Sequence, residues 1–139
     1  MNIALIKTLL LAICLFPLLA PSCSQEQEKQ AANLELLQKQ KWFFSNEEFR
    51  GDTVYFRPES YEFPRSRGRE GFQFKEEDGK VTYYAISPAD MPMVLEATWT
   101  YDDEILSFDI PGNEFSDPRK YQFKLLELNK DVMETIMIY

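Results

Sequence analysis

The sequence predicts an all-β protein, an antiparallel up-and-down barrel of about eight strands that follows a short N-terminal helix. Two patterns predict this class. From position 41 onward, apolar and polar residues alternate, which is typical of strands that bury one face and expose the other. The connectors between these segments alternate between short and long, so each strand can pair with the next one along the chain. A length of 139 residues supports one folded domain.

The first 22 residues have the features of an export signal. An apolar run over 8–19 follows the positive charge of Lys7, and it is shorter than the roughly 20 residues that a membrane-spanning helix needs. Small residues then precede Cys23, an order that resembles the lipobox of bacterial lipoproteins. The resemblance implies that residues 1–22 are removed and that Cys23 is lipidated.

The cysteine count agrees with lipidation. Cys14 would leave with the signal, and an exported chain with Cys23 as its single cysteine cannot form an internal disulfide. A lipid at Cys23 would anchor the protein in the bacterial cell envelope, in the outer membrane on its periplasmic or its surface face. The alternatives are ordinary cleavage before a free cysteine, or an anchor that is not cleaved.

Residues 23–40 predict a tether that passes into a short helix. They contain no aromatic or β-branched side chain and are rich in Gln, Glu, Lys, Leu and Ala, which favour helix. Ala31, Leu34 and Leu37 share one helical face at three-residue steps. We expect this helix to dock through its leucines on the domain that follows.

Residues 41–139 predict the barrel domain. The expected strands lie near 41–45, 53–57, 71–76, 80–86, 94–101, 104–110, 119–128 and 131–139. In a meander, the long connectors 58–70, 87–93 and 111–118 gather at one end of the barrel together with the helix, and the tight turns gather at the other. A β-sandwich is the structural rival, and it would be favoured if the first and last strands did not pair.

Trp42 lies early in the first strand, after a leading helix and before a meander of about eight strands. This arrangement resembles the lipocalin, or calycin, barrel, and more narrowly the small lipocalin-like lipoproteins that are common in Bacteroidota. Further stretches that carry the resemblance are Gly71-Phe72-Gln73-Phe74, Asp78-Gly79-Lys80-Val81, Thr98-Trp99-Thr100 and Leu128-Asn129-Lys130-Asp131. The resemblance implies an interior that holds one small ligand, although side chains alone can also fill a barrel of this strand number.

The composition excludes several classes of function. The chain has no histidine, so a Ser-His-Asp triad, a Cys-His pair and a histidine-ligated zinc site are all impossible. A formal net charge of -8 gives no electrostatic basis for binding nucleic acid. The acidic clusters at 76–78 and 102–104 lack the spacing of a calcium loop, and no phosphate-binding glycine pattern occurs. We therefore expect a protein that is not an enzyme and that uses neither a metal nor a cofactor.

A basic loop and a set of aromatic residues are the candidates for ligand contact. Four of the six arginines fall between positions 57 and 69, and the arginine fork suits carboxylate or phosphate groups. The candidate residues are Arg57, Arg65, Arg67, Arg69, Trp42 and Trp99. Further aromatic residues that could line a pocket are Phe72, Phe74, Tyr83 and Phe108. The alternatives are that the arginines pair with acidic side chains of neighbouring loops, and that the rings fill the core.

These features predict a non-catalytic envelope lipoprotein that is held at the membrane through Cys23 and binds a small apolar or amphipathic molecule. The alternative is a ligand-free barrel whose loops contact another envelope protein. Ligand binding predicts a cavity of a few hundred cubic ångströms. Contact with a protein predicts a filled interior and an exposed apolar patch instead.

Overall fold

A computed structural model describes residues 22–76 and 79–138. Its elements in chain order are α1 (Ser22–Lys39), β1 (Lys41–Phe44), β2 (Thr53–Pro58), β3 (Gly71–Phe74), β4 (Lys80–Ile86), β5 (Pro92–Asp102), β6 (Ile105–Ile110), β7 (Arg119–Leu128) and β8 (Met133–Ile138). Each strand lies within a few residues of its predicted position. Residues 1–21 of the predicted export signal lie outside the described part of the chain.

The eight strands form a closed barrel in which every neighbouring pair is antiparallel. The predicted fold class is therefore confirmed. The alternation of side chains follows the pleat: in β4, for example, Val81, Tyr83 and Ala85 are buried while their neighbours are half-buried or exposed. Because the sheet is closed, none of the eight described strands forms an open edge that could pair with a strand of another molecule.

The order of the strands differs from a simple meander at one place. β1 lies between β2 and β3, with Phe43 opposite Arg57 on one side and opposite Gly71 on the other. The last strand, β8, pairs with β2 rather than with β1. The first and last strands thus do not pair, yet the sheet closes into a barrel and not into a sandwich.

Because β1 separates β2 from β3, the connection between them passes over the outside of β1. This crossover segment, residues 59–70, places the ring of Phe63 against the outward-facing ring of Phe43, with centroids 6.5 Å apart. Gly71 lets the start of β3 lie close to β1, because a Cβ at this position would be 2.5 Å from the carbonyl oxygen of Trp42. An aromatic side chain on the outer wall of the barrel is thereby covered.

The two ends of the barrel differ. The tight-turn end is where β3, β5 and β7 end, and the loop end carries loops 45–52, 87–91 and 111–118 together with the last residues of the crossover segment. The predicted gathering of long connectors is met by 87–91 and 111–118, whereas the crossover segment runs from one end to the other. β2 and β3 run in the same direction, whereas a simple meander would reverse the chain between them. As a result, the tight turns between the later strands lie at the end of the barrel where α1 leads into β1.

The expectation that the helix joins at the loop end is wrong, because the C-terminal part of α1, residues 32–39, docks at the tight-turn end. Gln38 donates a hydrogen bond to the carbonyl oxygen of Lys75 (3.3 Å), and Asn33 donates one to the Tyr101 hydroxyl (2.9 Å). Leu37 is fully buried, and its carbonyl oxygen accepts a hydrogen bond from the Trp42 indole. Docking through the leucine face is confirmed, and it closes this end of the barrel.

Aromatic side chains fill the middle of the interior. Phe72 stacks on Phe108 with centroids 4.2 Å apart, and Phe56 meets the edge of Phe123 at 5.7 Å. Rings in such offset and edge-to-face arrangements bury large apolar areas in well-defined positions. Buried side chains extend from Leu37 on the helix through Trp42, Trp99 and Phe74 to these rings.

Candidate ligand site

Two adjoining cavities lie inside the loop end. The outer cavity, of about 190 Å³, is lined by Glu70, Tyr83, Ala85, Ile86, Ser87, Pro88, Met93, Leu95, Ile110, Phe115, Ser116 and Arg119. The inner cavity, of about 120 Å³, is lined by Phe44, Phe56, Glu70, Phe72, Tyr83, Tyr121, Phe123 and Met137. Glu70 and Tyr83 line both cavities, so these two residues mark the junction between them.

The junction holds a buried polar group without a partner. Tyr83 points inward from β4 and is 3% exposed, and its hydroxyl has no hydrogen-bond partner among the described residues. A buried hydroxyl that makes no hydrogen bond destabilises a protein by about 1–3 kcal/mol. Such groups are rare in folded proteins, and each one needs a physical reason.

Burial raises the pKa of the Tyr83 hydroxyl far above its ordinary value of 10.0, and the negative charge of Glu70 raises it further. The positive charge of Arg119 acts in the opposite direction and does not outweigh burial. The hydroxyl therefore stays protonated at any physiological pH. It is available at the junction as a hydrogen-bond donor.

The polar groups near this hydroxyl come from different elements. Glu70 is the last residue of the crossover segment, and it is held in place because its carbonyl oxygen accepts a hydrogen bond from the backbone of Phe44 (2.8 Å). Arg119 begins β7 and reaches the hydroxyl of Tyr121 at 3.4 Å. A carboxylate, a guanidinium and two phenol groups thus line the two cavities, and the inner cavity is otherwise apolar, an arrangement that is typical of ligand sites.

Two of the candidate arginines hold the fold together. Arg69 bonds to Glu47 (2.9 Å) and to the carbonyl oxygen of Pro64 (2.9 Å), and its guanidinium lies 4.4 Å from the centre of the Phe63 ring. Arg57 bonds to Glu48 (2.8 Å) and to the carbonyl oxygen of Asp131 (3.0 Å). These hydrogen bonds lower the pKa of both glutamates below the ordinary value of 4.5. The two arginines tie loop 45–52 to its surroundings, as the structural alternative expects.

The other candidates lie elsewhere. Arg67 pairs with Asp90 (2.9 Å) with its side chain 85% exposed, and Arg65 is exposed as well. Trp42 is fully buried, and Trp99 meets the edge of Phe74 at 4.6 Å in the half of the barrel nearer the tight turns. In the described part of the chain, none of the six candidate residues lines either cavity.

Sequence reasoning found part of the site and missed its polar members. Phe72 and Tyr83 were predicted as interior aromatics, and both line the inner cavity. Glu70, Arg119 and Tyr121 were not singled out, although each stands directly beside or within a strand at the loop end. The signal in the sequence was a tyrosine at an inward-facing position next to a long loop. A buried tyrosine hydroxyl needs a hydrogen-bond partner, whereas phenylalanine has no polar group to satisfy.

The loop end also carries exposed apolar side chains. Phe49, Met91 and Phe115 are about half exposed, at 46%, 59% and 50%, and each belongs to a different loop. Phe115 lines the outer cavity as well, so it stands at the rim between that cavity and solvent. Apolar side chains placed in this way are typical of surfaces that meet a ligand or a partner.

Within residues 22–76 and 79–138, no group of three or more acidic or cysteine side chains is placed to hold a metal ion, and α1 is not a candidate for a membrane-spanning helix. No protein-family model, curated protein or solved structure matches the chain.

Proposed function

We propose that the protein is a non-catalytic, lipocalin-like lipoprotein of the bacterial cell envelope whose barrel binds one small amphipathic molecule at its loop end. The observation that carries this proposal is the pair of adjoining cavities that meet at Glu70 and Tyr83. Together they reach the lower end of the size range for ligand pockets, which begins at about 300 Å³. The aromatic walls of the inner cavity and the polar groups that line the outer cavity suit a molecule with an apolar body and a polar group.

The molecule enters from the loop end, because the opposite end is closed by α1 and by buried side chains. Leu37 and Trp42 are each fully buried there. At the loop end, the rim residue Phe115 is half exposed and can move aside at little cost in packing.

The membrane link in this proposal is a lipid on Cys23. This residue is an exposed, free cysteine at the start of α1. Metabolic labelling with a palmitate analogue tests the link: the wild-type protein takes up label and a Cys23→Ala variant does not. Equal labelling of the two proteins would refute lipidation at this position.

Native mass spectrometry of the soluble chain from residue 24, purified from its own host, tests the ligand. We expect a small molecule bound in a one-to-one ratio. An Ala85→Leu variant, which places a larger side chain into the outer cavity, should retain much less of it. Thr82→Leu is the matched control, since Thr82 lies on the same strand and faces outward. A protein that carries no small molecule in any preparation would favour a function without a ligand.

A second candidate function is contact of the loops with another envelope protein. The three exposed side chains Phe49, Met91 and Phe115 favour it, since they offer apolar surface at one end of the barrel. Replacing all three by serine should abolish cross-linking to a partner in intact cells and leave the folded barrel unchanged. If small-molecule binding is lost instead while cross-linking persists, these residues serve the ligand site.

A further inference from the structure

We infer, on the premise that the barrel binds a ligand, that the bound molecule is uncharged and contains a single ring with a hydroxyl group. The ring occupies the inner cavity. The hydroxyl group lies at the junction, where it accepts a hydrogen bond from Tyr83 and donates one to Glu70. Size, wall chemistry and the polar groups at the junction lead to this assignment separately.

The inner cavity has the size of one ring. Its volume is about 120 Å³. An apolar cavity of about 150 Å³ in another protein takes up benzene, so the space here suits a single six-membered ring with little room to spare. A long acyl chain does not fit into it.

The walls of the inner cavity favour a ring as well. They consist largely of aromatic side chains, among them Phe44, Phe56, Phe72 and Phe123. These rings already meet one another in tilted and edge-to-face arrangements, with Phe44 and Phe56 at 5.8 Å and Phe56 and Phe72 at 6.0 Å. A further ring extends this pattern and gains the same type of contact.

The junction selects the polar group. The Tyr83 hydroxyl makes no hydrogen bond of ordinary geometry to the described residues, and the Glu70 carboxylate is the acceptor near enough to act on it and to raise its pKa. A hydroxyl group can accept one hydrogen bond and donate another, so it satisfies both residues at once. A hydrocarbon leaves the Tyr83 hydroxyl unpaired.

Charge at the junction argues against an anionic ligand. A carboxylate on the ligand would lie next to the carboxylate of Glu70, and like charges in a confined space repel each other. The nearby positive charge belongs to Arg119, whose guanidinium bonds to the Tyr121 hydroxyl (3.4 Å). An uncharged ligand avoids the repulsion from Glu70.

Three fluorinated probes of matched ring size test the inference: 4-fluorophenol, fluorobenzene and 4-fluorobenzoate. The mature chain from residue 23, which contains every strand of the structure, is prepared with Cys23→Ser and titrated with each probe by fluorine NMR. Methyl signals of methionine report the location, because Met137 lines the inner cavity and Met93 lines the outer one. Met133, which is 1% exposed and lines neither cavity, is the internal reference.

We expect 4-fluorophenol to bind about tenfold more tightly than fluorobenzene, as one buried hydrogen bond gained at an unpaired group allows. It should move the methyl signal of Met137, and 4-fluorobenzoate should bind more weakly. In a Tyr83→Phe variant, the affinity for 4-fluorophenol should fall to that for fluorobenzene. Tyr84→Phe is the matched control, since the Tyr84 hydroxyl faces outward and bonds to Gln73 (2.7 Å).

The measurements distinguish an error in the assignment of a hydroxyl-bearing ring from an error in the proposal that the barrel binds a ligand. If fluorobenzene binds as tightly as 4-fluorophenol and moves the Met137 signal, the hydroxyl assignment is overturned and the interior site stands. Tightest binding of 4-fluorobenzoate also overturns the assignment. If no probe moves the Met137 or Met93 signals and no small molecule is retained in native mass spectrometry, the ligand function itself falls.

Discussion

The two ends of this barrel are built from the same alternating strands, but one end is closed by packed side chains and the other contains open space. At the tight-turn end, α1 covers the opening, and Leu37 and Trp42 are fully buried. At the loop end, two cavities remain, and a tyrosine hydroxyl is buried between them without a partner among the described residues. The difference shows that the space at the loop end is not a general property of a small barrel, since the other half of the same interior is filled.

The contrast has an energetic side. Each half holds one buried polar group without a hydrogen-bond partner among the described residues, the Trp99 indole N–H nearer the tight turns and the Tyr83 hydroxyl at the loop end. The Trp99 indole packs against the edge of Phe74, whereas the Tyr83 hydroxyl adjoins open space. Proteins commonly sacrifice some stability where a binding site requires it. Three pairs of substitutions test the contrast within the interior, and a fourth set tests an ion pair on the outer wall.

The largest expected difference involves two methionines on the same face of β8. Met133 lies towards the tight-turn end and is 1% exposed, whereas Met137 lines the inner cavity. We expect Met133→Ala to lower the free energy of unfolding by about 3 kcal/mol, within the range for well-packed sites. Met137→Ala should lower it by less than half of that, because a cavity already adjoins the side chain. Chemical denaturation measures both values, and equal losses would contradict the contrast.

A smaller difference is expected for two alanines that are enlarged to leucine. Ala97 on β5 is 2% exposed within the filled interior, so Ala97→Leu should destabilise the protein by about 2 kcal/mol through overpacking. Ala85 lines the outer cavity, so Ala85→Leu finds free space and should leave stability unchanged or raise it. Thermal unfolding compares the two variants. A loss of equal size at Ala85 would show that the outer cavity is not available to a side chain.

Adjacent tyrosines on β4 should respond with opposite signs. Tyr83→Phe removes a buried hydroxyl without a partner and should stabilise the ligand-free protein by about 1 kcal/mol. Tyr84→Phe removes a hydroxyl that bonds to Gln73 at 2.7 Å and should destabilise it by up to about 1 kcal/mol. Urea denaturation of ligand-free samples gives both signs. A destabilised Tyr83→Phe variant would mean that the hydroxyl is already satisfied without a ligand.

The smallest effect concerns pH, at a contact on the outer wall that links loop 45–52 to the turn after β7. The hydrogen bond from Arg57 lowers the pKa of Glu48 below its ordinary value of 4.5. The stability that this pair contributes is complete above that ordinary value and is lost as the pH falls through the lower pKa of the folded protein. Between about pH 5 and about pH 3, Glu48→Gln should therefore lose less stability than the wild type.

The same pair provides its own control. Arg57→Met should reduce the pH dependence of unfolding by a similar amount, and the double variant should reduce it no further. Denaturant unfolding at a series of pH values measures these slopes. Additive effects of the two substitutions would show that the residues act separately.

The strands could be predicted from the sequence because alternation is a local property, whereas pairing is not. The segment with Trp42 and Phe44 facing inward reads as a strand from its own residues. Its place between β2 and β3 depends on how the outward ring of Phe43 is covered, and on a glycine at position 71 that a Cβ could not replace. Both depend on partners that are distant in the sequence.

The ligand site was predictable to a lesser degree for a similar reason. An inward tyrosine could be recognised at position 83, but whether its hydroxyl has a partner depends on three elements, β4, β7 and the crossover segment, that meet only in the folded barrel. The prediction that the arginines contact a ligand rested on their clustering between positions 57 and 69, which suggested an anion-binding site. Arg57 and Arg69 instead hold the loop with Glu47 and Glu48 in place.

The pairing of β2 with β8 has a consequence for how the chain folds. The hydroxyl of Thr135 donates a hydrogen bond to the carbonyl oxygen of Val54, 81 positions earlier in the sequence (3.1 Å). Until the last strand arrives, β2 has a partner on one side only and remains an open edge that can pair with other chains. Contacts of such long range form late and slow the folding reaction. A chain that lacks residues 133–138 would therefore keep both β2 and β7 as open edges, and we expect it to aggregate rather than to form a smaller barrel.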